Sequence, residues 1–384
     1  MTFNFFATCP RGLEVPLINE LSEISAADIK KDDGGVHFSG DISVCYKANL
    51  FVRTAGRVYW KVSSSEYRNE QDIYDLAYLI PWHKWFDVSR TIRVSMVGIR
   101  CPLKSLNFAG LKIKDAICDR FRKECGSRPD VDPNNPDIRI HGFVTEKELV
   151  ISIDTSGDTL FKRGFREETN AAPIRENLAA GILYLAGRKP GIPLLDPMCG
   201  SGTFLIEAAQ MSLNIAPGIS RKFAFEKFKD FDRDLWLKIC EKAVEEELDV
   251  TELPIFGSDI SADAVEMAKT NLNNAGLLEA VTLNCSDILD ISAPADNGLI
   301  VANLPYGERM GEINELRDLY PKIGDTLKKN FSGWNAYLLS SDLQMPKFIR
   351  LSVSKRTPLF NGQLECRLFE YKMVSGSNRS KKDQ

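Results

Sequence analysis

The spacing of apolar and polar positions changes near residue 170 of this chain. Before that point, the alternating runs Phe3–Thr8, Ile138–Val144 and Glu148–Asp154 predict strands, and residues 106–124 have the apolar spacing of a helix. Strands and helices mixed in this way indicate α+β structure. Shorter elements are predicted at 13–21 (helix), 36–38 (strand) and 91–97 (strand).

From about Ala172-Pro173, where a helix is predicted to begin, strands alternate with helices. This alternation predicts a mostly parallel sheet covered on both faces. The last predicted strands form an appended hairpin around Asn361-Gly362. The predicted strands are Leu194–Asp196, 255–260, 281–285, 299–303, Trp334–Ser340, 352–356 and 365–373, with helices at 202–213 and 262–275.

Length and composition indicate a globular protein of about two or three domains. No apolar run is long enough to span a membrane and Met1 to Pro10 lacks a signal-peptide pattern, so we expect a cytoplasmic protein without membrane contact. The nine cysteines form no CxxC pair, and the three histidines match no metal or hydrolase motif. We therefore expect no metal site, no disulfide framework and no catalytic triad.

The charge distribution is uneven. The net charge of −4 argues against non-specific coating of nucleic acid. Residues 90–128, however, contain ten Lys or Arg against three acids, which suits either a nucleic-acid contact or ordinary solvated helix faces. An insertion at about 214–253 carries aromatic residues that we expect to pack against the catalytic domain; the alternative is stacking on RNA. These residues are Phe223, Phe225, Phe228, Phe231 and Trp236.

The segment from Asp196 to Thr203 lies between a predicted strand and a predicted helix, where a parallel sheet presents a ligand crevice. Leu205 stands where a dinucleotide fingerprint needs a third glycine, and no Walker lysine follows. Asp259 and Asp287 end the next two strands, where carboxylates can accept bonds from ribose hydroxyls and an adenine amine; the alternative is that each caps a following helix. The predicted cofactor-binding residues are Asp196, Pro197, Cys199, Gly200, Ser201, Gly202, Thr203, Asp259, Ile260, Asp287, Ile288 and Asn303.

A second loop, Asn303-Leu304-Pro305-Tyr306, ends a further strand of the same predicted sheet. The Asn303 amide oxygen and the Leu304 carbonyl can accept both N–H bonds of an exocyclic base amine and so direct its lone pair towards a methyl donor. Pro305 stiffens the turn, and the Tyr306 ring can stack on an extruded base. These four residues are the predicted catalytic loop; the alternative is a simple turn that ends a strand.

Together these motifs resemble the class I methyltransferases that modify amino groups of bases, whose signature is Asp/Asn/Ser-Pro-Pro-Tyr/Phe. Leu304 replaces the first proline of that signature. Segments 160–169, 172–178, 196–203, 303–309 and 361–367 are similar to the bacterial enzymes that make N2-methylguanosine in 23S ribosomal RNA, and 114–120 and 128–132 are similar to THUMP sequences.

The resemblance implies a Rossmann-like class I methyltransferase sheet preceded by α+β ferredoxin-like and THUMP modules, with S-adenosylmethionine as cofactor and RNA as partner. The expected domains are a ferredoxin-like module at 1–60, a THUMP domain at 61–156, a methyltransferase domain at 157–374 and a flexible basic tail at 375–384. The basic residues expected to contact RNA are Lys114, Arg120, Arg128, Lys162, Arg163, Arg166 and Arg309.

We expect methylation of guanine N2 in RNA, with 23S ribosomal RNA as the leading substrate. The loop alone also allows transfer RNA as substrate, or adenine-N6 methylation of DNA, a label that members of the resembled family also carry. An RNA-binding assembly factor without catalysis is the third hypothesis, which the intact cofactor and catalytic loops disfavour.

Overall fold

The structure, a computed structural model, describes residues 1–166, 174–305 and 310–374. The chain forms two compact units, each assembled from discontinuous stretches. The first unit contains Met1–Cys9, Leu17–Leu160 and Gly218–Lys242, and the second unit contains the remaining residues.

The helices and strands are numbered here in chain order. The first part of the chain contains β1 Phe3–Thr8, α1 Glu14–Glu23, β2 Ala27–Asp32, β3 Gly35–Gly40, α2 Ile42–Phe51, β4 Arg57–Glu66, α3 Glu70–Leu79, α4 Trp82–Trp85, β5 Ile92–Gly98, α5 Leu106–Cys125, β6 Ile138–Val144 and β7 Glu148–Asp154. The rest contains α6 Glu176–Leu185, β8 Leu194–Asp196, α7 Thr203–Ser212, α8 Arg233–Glu245, β9 Ile255–Asp259, α9 Ala262–Asn274, β10 Thr282–Cys285, β11 Gly298–Asn303, α10 Met310–Asn330, β12 Trp334–Ser340, α11 Met345–Phe348, β13 Lys355–Asn361 and β14 Leu364–Lys372. None of the described helices combines the length and apolar composition needed to cross a bilayer.

The first unit is built on a seven-stranded sheet of order β2-β3-β1-β4-β7-β6-β5. Strand β4 is ten residues long and pairs with β1 on one side and with β7 on the other. The expected boundary after residue 60 falls inside β4, so the two modules expected at 1–60 and 61–156 share one continuous sheet.

One face of this sheet is covered by helices. Alternate residues of β6, including Ile138 and Ile140, are fully buried in a cluster with residues of α3 and α5 such as Ile73 and Ile113. Because side chains alternate across a strand, the intervening positions of β6 lie on the opposite face.

Residues 218–242 of the insertion between α7 and β9 pack in the first unit, so the expectation that its aromatic residues pack against the catalytic domain is wrong. The Phe225 ring lies 4.5 Å from the Tyr46 ring, and Trp236 meets both rings edge-on. Phe228 packs against the cluster that contains Trp82 and Phe121. Apolar periodicity within the insertion gives no information about which distant partner buries these rings, since that depends on the path of the chain.

The second unit is built on a sheet of order β10-β9-β8-β11-β12-β14-β13. Strands β8 to β12 are parallel, and β14 and β13 add an antiparallel hairpin. The strand order reverses between β8 and β11, which makes the carboxyl ends of these two strands the expected ligand crevice. This architecture confirms the predicted fold class, a mostly parallel sheet with a C-terminal hairpin.

The observed bounds of β13 and α6 differ from the predicted bounds. Strand β13 spans Lys355–Asn361, so the predicted strand 352–356 began three residues too early and ended five residues too early. Pro358 is tolerated within β13 because β13 is an edge strand. Helix α6 begins at Glu176, and the predicted start at Ala172 and Pro173 lies outside the described residues.

Candidate active site

The loop after β8 has a tightly bonded backbone. The Cys199 N–H donates to the Ser258 carbonyl at 2.9 Å, and the Gly202 N–H donates to the Cys199 carbonyl at 2.8 Å. Gly200 and Gly202 have φ values of 50° and 79°, a left-handed conformation that favours glycine. A Cβ at Gly202 would also lie 3.2 Å from the Cβ of Ala268, so glycine allows α9 to pack closely here.

Asp259 fixes this loop to the end of β9. Its carboxylate accepts the Gly200 N–H at 3.0 Å through Oδ2 and the Ser261 N–H at 3.0 Å through Oδ1. Ser261, not Asp259, is the N-cap of α9, because its side chain accepts the Ala264 N–H. The alternative that Asp259 caps the following helix is therefore wrong, and its oriented carboxylate keeps acceptor capacity at the crevice.

Asp287 follows β10 and is half-buried. Its Oδ1 accepts the Leu289 N–H at 3.0 Å, and no helix follows it in residues 288–297. The helix-capping alternative therefore fails here too. Ile260 is 68% exposed beside Asp259, whereas Ile288 is buried. An exposed isoleucine beside an anchored carboxylate is the pattern expected where a flat aromatic group with a polar sugar binds.

Asp196 is buried at the end of β8. Its Oδ1 accepts the Met198 N–H at 3.2 Å. Burial raises the pKa of Asp196 to about 8, and the nearby charge of Asp259 raises that pKa further, while the bond from Met198 opposes the rise. A buried acid of this kind gains stability from a cationic ligand.

Asn303 ends β11 on the same face of the sheet as Asp196. Leu299 of β11 pairs with Leu194 of β8, and side chains alternate along both strands, so Asn303 and Asp196 share a face. Asn303 is half-buried. The strand order places both residues at the carboxyl edge on either side of the switch point.

Leu304 is held in place in two ways. Its N–H donates to the Leu339 carbonyl of β12 at 3.0 Å, and its side chain is 1% exposed in a cluster with Ala302, Tyr320 and Leu338. A proline at this position has no N–H to donate. Leucine therefore anchors the backbone that carries the predicted carbonyl acceptor. Pro305 is exposed, and Tyr306 lies outside the described residues.

Two of the arginines expected to contact RNA bond to side chains of the second unit. Arg163 Nε donates to Glu207 Oε1 at 3.1 Å, and both side chains are at most 2% exposed. Arg166 Nη2 donates to Thr203 Oγ1 at 2.6 Å and lies 3.3 Å from Glu176 Oε1. Arg166 thus supports the first turn of α7.

The other predicted RNA contacts are spread over the chain. Lys162 and Arg128 are exposed, while Lys114 pairs with Asp115. Arg120 lies 3.2 Å from Glu124 and beside the Tyr78 ring. Arg309 lies outside the described residues.

Sequence reasoning missed one residue that holds the cofactor loop. Asn271 of α9 is buried, and its Nδ2 donates to the Ser201 carbonyl at 3.0 Å. An asparagine inside a helix carries no local signal for this role. Within the described ranges, no His, Cys, Asp and Glu side chains group in a way that could hold a metal ion.

Comparison with known proteins gives three family matches along the chain. Residues 163–370 match the RMKL-like methyltransferase domain, 67–154 match the THUMP domain, and 4–59 match the RlmL ferredoxin-like domain. The first match alone covers more than half of the chain. This chain belongs to the RMKL-like methyltransferase family. The membership confirms the resemblance and the class of enzyme predicted from the sequence.

Members of this family and related solved structures align over nearly the whole chain. The Ribosomal RNA large subunit methyltransferase K/L of Shewanella frigidimarina (strain NCIMB 400) is 39% identical over 382 residues, which are 98% of this chain and 54% of that protein. The chain thus spans about half the length of that relative.

Two crystal structures share the fold. That of SMU.472 complexed with SAH has 30% identity and a TM-score of 0.89, covering 98% of this chain and 99% of the other. That of a predicted N6-adenine-specific DNA methylase from Listeria monocytogenes str. 4b F2365 has 29% identity and a TM-score of 0.88, covering 97% of both chains.

Proposed function

We propose that this protein transfers a methyl group from S-adenosylmethionine to the exocyclic N2 amine of a guanine in RNA, with large-subunit 23S ribosomal RNA as substrate, in the cytoplasm. The observation that carries the proposal is the switch point of the second sheet. There, the glycine loop anchored by Asp259 and the Asn303-Leu304-Pro305 turn end adjacent strands, β8 and β11.

The residues at the end of β8 and β9 suit an adenosyl cofactor that carries positive charge. The Asp259 carboxylate would accept ribose hydroxyls, the exposed Ile260 would contact the adenine face, and Asp287 would accept the adenine amine. The buried Asp196 would favour the cationic part of the cofactor. S-adenosylmethionine, when bound, supplies an electrophilic methyl group on a sulfonium.

The end of β11 suits a base amine that receives the methyl group. The Asn303 amide oxygen and the Leu304 carbonyl would each accept one N–H of the guanine amine and hold its lone pair towards the methyl group. Direct displacement of the methyl group by the amine requires no nucleophile on the protein. The protein therefore accelerates the reaction by positioning the amine against the methyl group. Stacking of the base on Tyr306 remains a prediction.

The identity of the target amine can be tested with RNA that lacks the guanine N2 amine. Large-subunit RNA transcribed with inosine in place of guanosine lacks the N2 amine but keeps the adenine N6 amine. Methyl transfer from labelled S-adenosylmethionine should occur with guanosine RNA and disappear with inosine RNA. Equal transfer to both RNAs would contradict guanine N2 as the target.

Two other substrates, duplex DNA and transfer RNA, are tested by adding them to the same methyl-transfer assay. The name of the Listeria relative makes adenine-N6 methylation of DNA the second candidate, and transfer to duplex DNA in preference to ribosomal RNA would favour it. Transfer to transfer RNA alone would keep the chemistry and change the substrate.

We expect Asp259→Ala to weaken the binding of S-adenosylmethionine. Two hydrogen bonds to a charged acceptor contribute about 1.5–3 kcal/mol each, so we expect the Kd for S-adenosylmethionine to rise about 100-fold or more. Isothermal titration measures this Kd directly. Asp263→Ala is the matched control, since Asp263 is an exposed acid in the first turn of α9. Equal weakening by both variants would show that Asp259 has no specific role.

Cofactor affinity should depend on pH through Asp196. With a raised pKa of about 8, the free protein carries a protonated Asp196 at neutral pH, and a cationic cofactor favours the ionised form. Affinity should therefore rise as pH increases towards 8 and level off above it, with proton release below that pH. Titrations in buffers of different ionisation enthalpy measure the released protons. Asp196→Asn should abolish the dependence, and persistence of the dependence would contradict this assignment.

A further inference from the structure

The face of the first sheet opposite its helix-covered face carries a basic hollow. It has a volume of about 190 Å³, and its lining includes Arg57 and Tyr59 of β4, Arg93 of β5, Arg139 and His141 of β6, and Asp154 of β7. These positions alternate with the buried residues of the same strands, so the hollow lies opposite the helix-covered face.

One of the three arginines is neutralised inside the hollow. Arg57 donates to the Asp154 carboxylate and to the Gly157 carbonyl. Asp154 is buried and also accepts the N–H groups of Ser156 and Gly157. The Arg57–Asp154 pair therefore has a structural role and adds no net charge to the hollow.

The other two arginines stand side by side and keep their charge. Arg93 and Arg139 are direct partners across the parallel β5–β6 ladder, whose strands lie about 4.8 Å apart. Arg93 is exposed and donates one of its five N–H groups to the Pro133 carbonyl. Arg139 lies 3.8 Å from Asp158, whose carboxylate is exposed to solvent, and such a pair contributes little.

Aromatic rings line the hollow beside these arginines. The His141 ring stacks on the Tyr59 ring with centroids 4.8 Å apart and an interplanar angle of 19°. Burial and the charge of Arg57 lower the pKa of His141 to about 4, so this ring is neutral at physiological pH. A neutral aromatic surface beside two guanidinium groups suits an unpaired nucleotide, with a base near the rings and a phosphate at the arginines.

The size of the hollow restricts its ligand. Its volume equals that of about six water molecules and is below the roughly 300 Å³ of a pocket for a whole small-molecule ligand. Across β4, the same face has a second hollow of about 490 Å³ whose lining includes Lys30 and Lys61. Lys61 on β4 and Arg93 on β5 are separated by three strand spacings of about 4.8 Å, so the two hollows suit non-adjacent phosphates of one extended strand.

We propose that this basic hollow binds a backbone phosphate of an unpaired RNA segment through Arg93 and Arg139. The inference rests on the proposed function, because it assumes that the methylated substrate is RNA. It differs from the expected contacts on α5, which packs on the opposite face of the sheet.

The test measures binding of a fluorescein-labelled single-stranded oligouridylate to the full chain by anisotropy over a range of salt concentrations. Arg93→Ala/Arg139→Ala should bind about tenfold more weakly or worse, and the slope of log K against log salt should fall by about 0.7, because one phosphate contact is lost. Arg93→Lys/Arg139→Lys should retain most of the salt slope. The matched control is Arg122→Ala/Lys123→Ala on α5, which removes two charges and should leave the slope unchanged.

Several outcomes would overturn the proposal. The first is an unchanged salt slope in the Arg93→Ala/Arg139→Ala variant with an unchanged melting temperature. The second is an equal loss of RNA affinity in the α5 control. The third is displacement of the RNA by uridine monophosphate at equal phosphate concentration, or by polyglutamate at equal carboxylate concentration. Monophosphate displacement would indicate a free-nucleotide site, and polyglutamate displacement would indicate an acidic protein partner.

Methyl transfer distinguishes this proposal from the proposed function. If the wild-type chain binds oligouridylate through the hollow but methylates no RNA, the proposed function fails alone. If it methylates RNA and the hollow variant has an unchanged KM and salt slope, the hollow proposal fails alone.

Discussion

Asn303→Ala should reduce kcat at least about 10²-fold, the loss typical of removing one positioned hydrogen-bonding group from a transition state. The lost amide oxygen is one of two acceptors that hold the base amine, and the remaining Leu304 carbonyl cannot orient both N–H bonds. Cofactor affinity should change little, because Asp196 and Asp259 supply the predicted cofactor contacts on β8 and β9. Single-turnover methyl transfer and isothermal titration measure the two quantities separately.

The matched control for this variant is Asn335→Ala. Asn335 is a half-buried asparagine of β12 that pairs with Leu299, towards the opposite end of the ladder from Asn303. It should keep nearly full activity. Equal losses of turnover and cofactor affinity in Asn303→Ala would contradict the assigned role, as would full activity of that variant.

Arg163→Ala should lower the free energy of unfolding by about 3–5 kcal/mol, because it leaves the buried Glu207 carboxylate without its cationic partner. The 3.1 Å contact joins the segment before α6 to α7, the helix that begins directly after the cofactor loop. Denaturant unfolding measures the loss.

The double variant Arg163→Met/Glu207→Met removes both charges and should recover much of that stability, since apolar pairs of similar size often replace buried ion pairs without cost. RNA affinity, measured at a temperature where Arg163→Ala is folded, should match that of the wild type. Unchanged stability together with weaker RNA binding would contradict this structural role and support Arg163 as an RNA contact.

The sequence could predict the parts of the site that depend on local pattern. A short apolar strand followed by Gly200 and Gly202, and acids or an asparagine at the ends of later strands, are local features. In a parallel sheet all strand ends meet at one edge, so these features also imply their proximity. This explains why the fold class and the family resemblance were confirmed.

Other features depend on tertiary packing and could not be predicted. Burial of Arg163 against Glu207 joins residues 44 positions apart, and a basic side chain in a loop is usually solvated. The rings of Phe225 and Trp236 could not indicate Tyr46 as their partner. The basic hollow assembles from β4 to β7, whose order in the sheet, β4-β7-β6-β5, differs from their order along the chain, so Arg93 and Arg139 carried no sign of their pairing.

Identification of the methylated nucleoside tests the central claim most directly. The wild-type chain and Asn303→Ala would be incubated with labelled S-adenosylmethionine, large-subunit RNA and, in parallel, genomic DNA, and the digested nucleosides identified by mass. We expect N2-methylguanosine from ribosomal RNA with the wild type and its loss with the variant. N6-methyladenosine, its deoxy form, or no methylated product would contradict the proposed function.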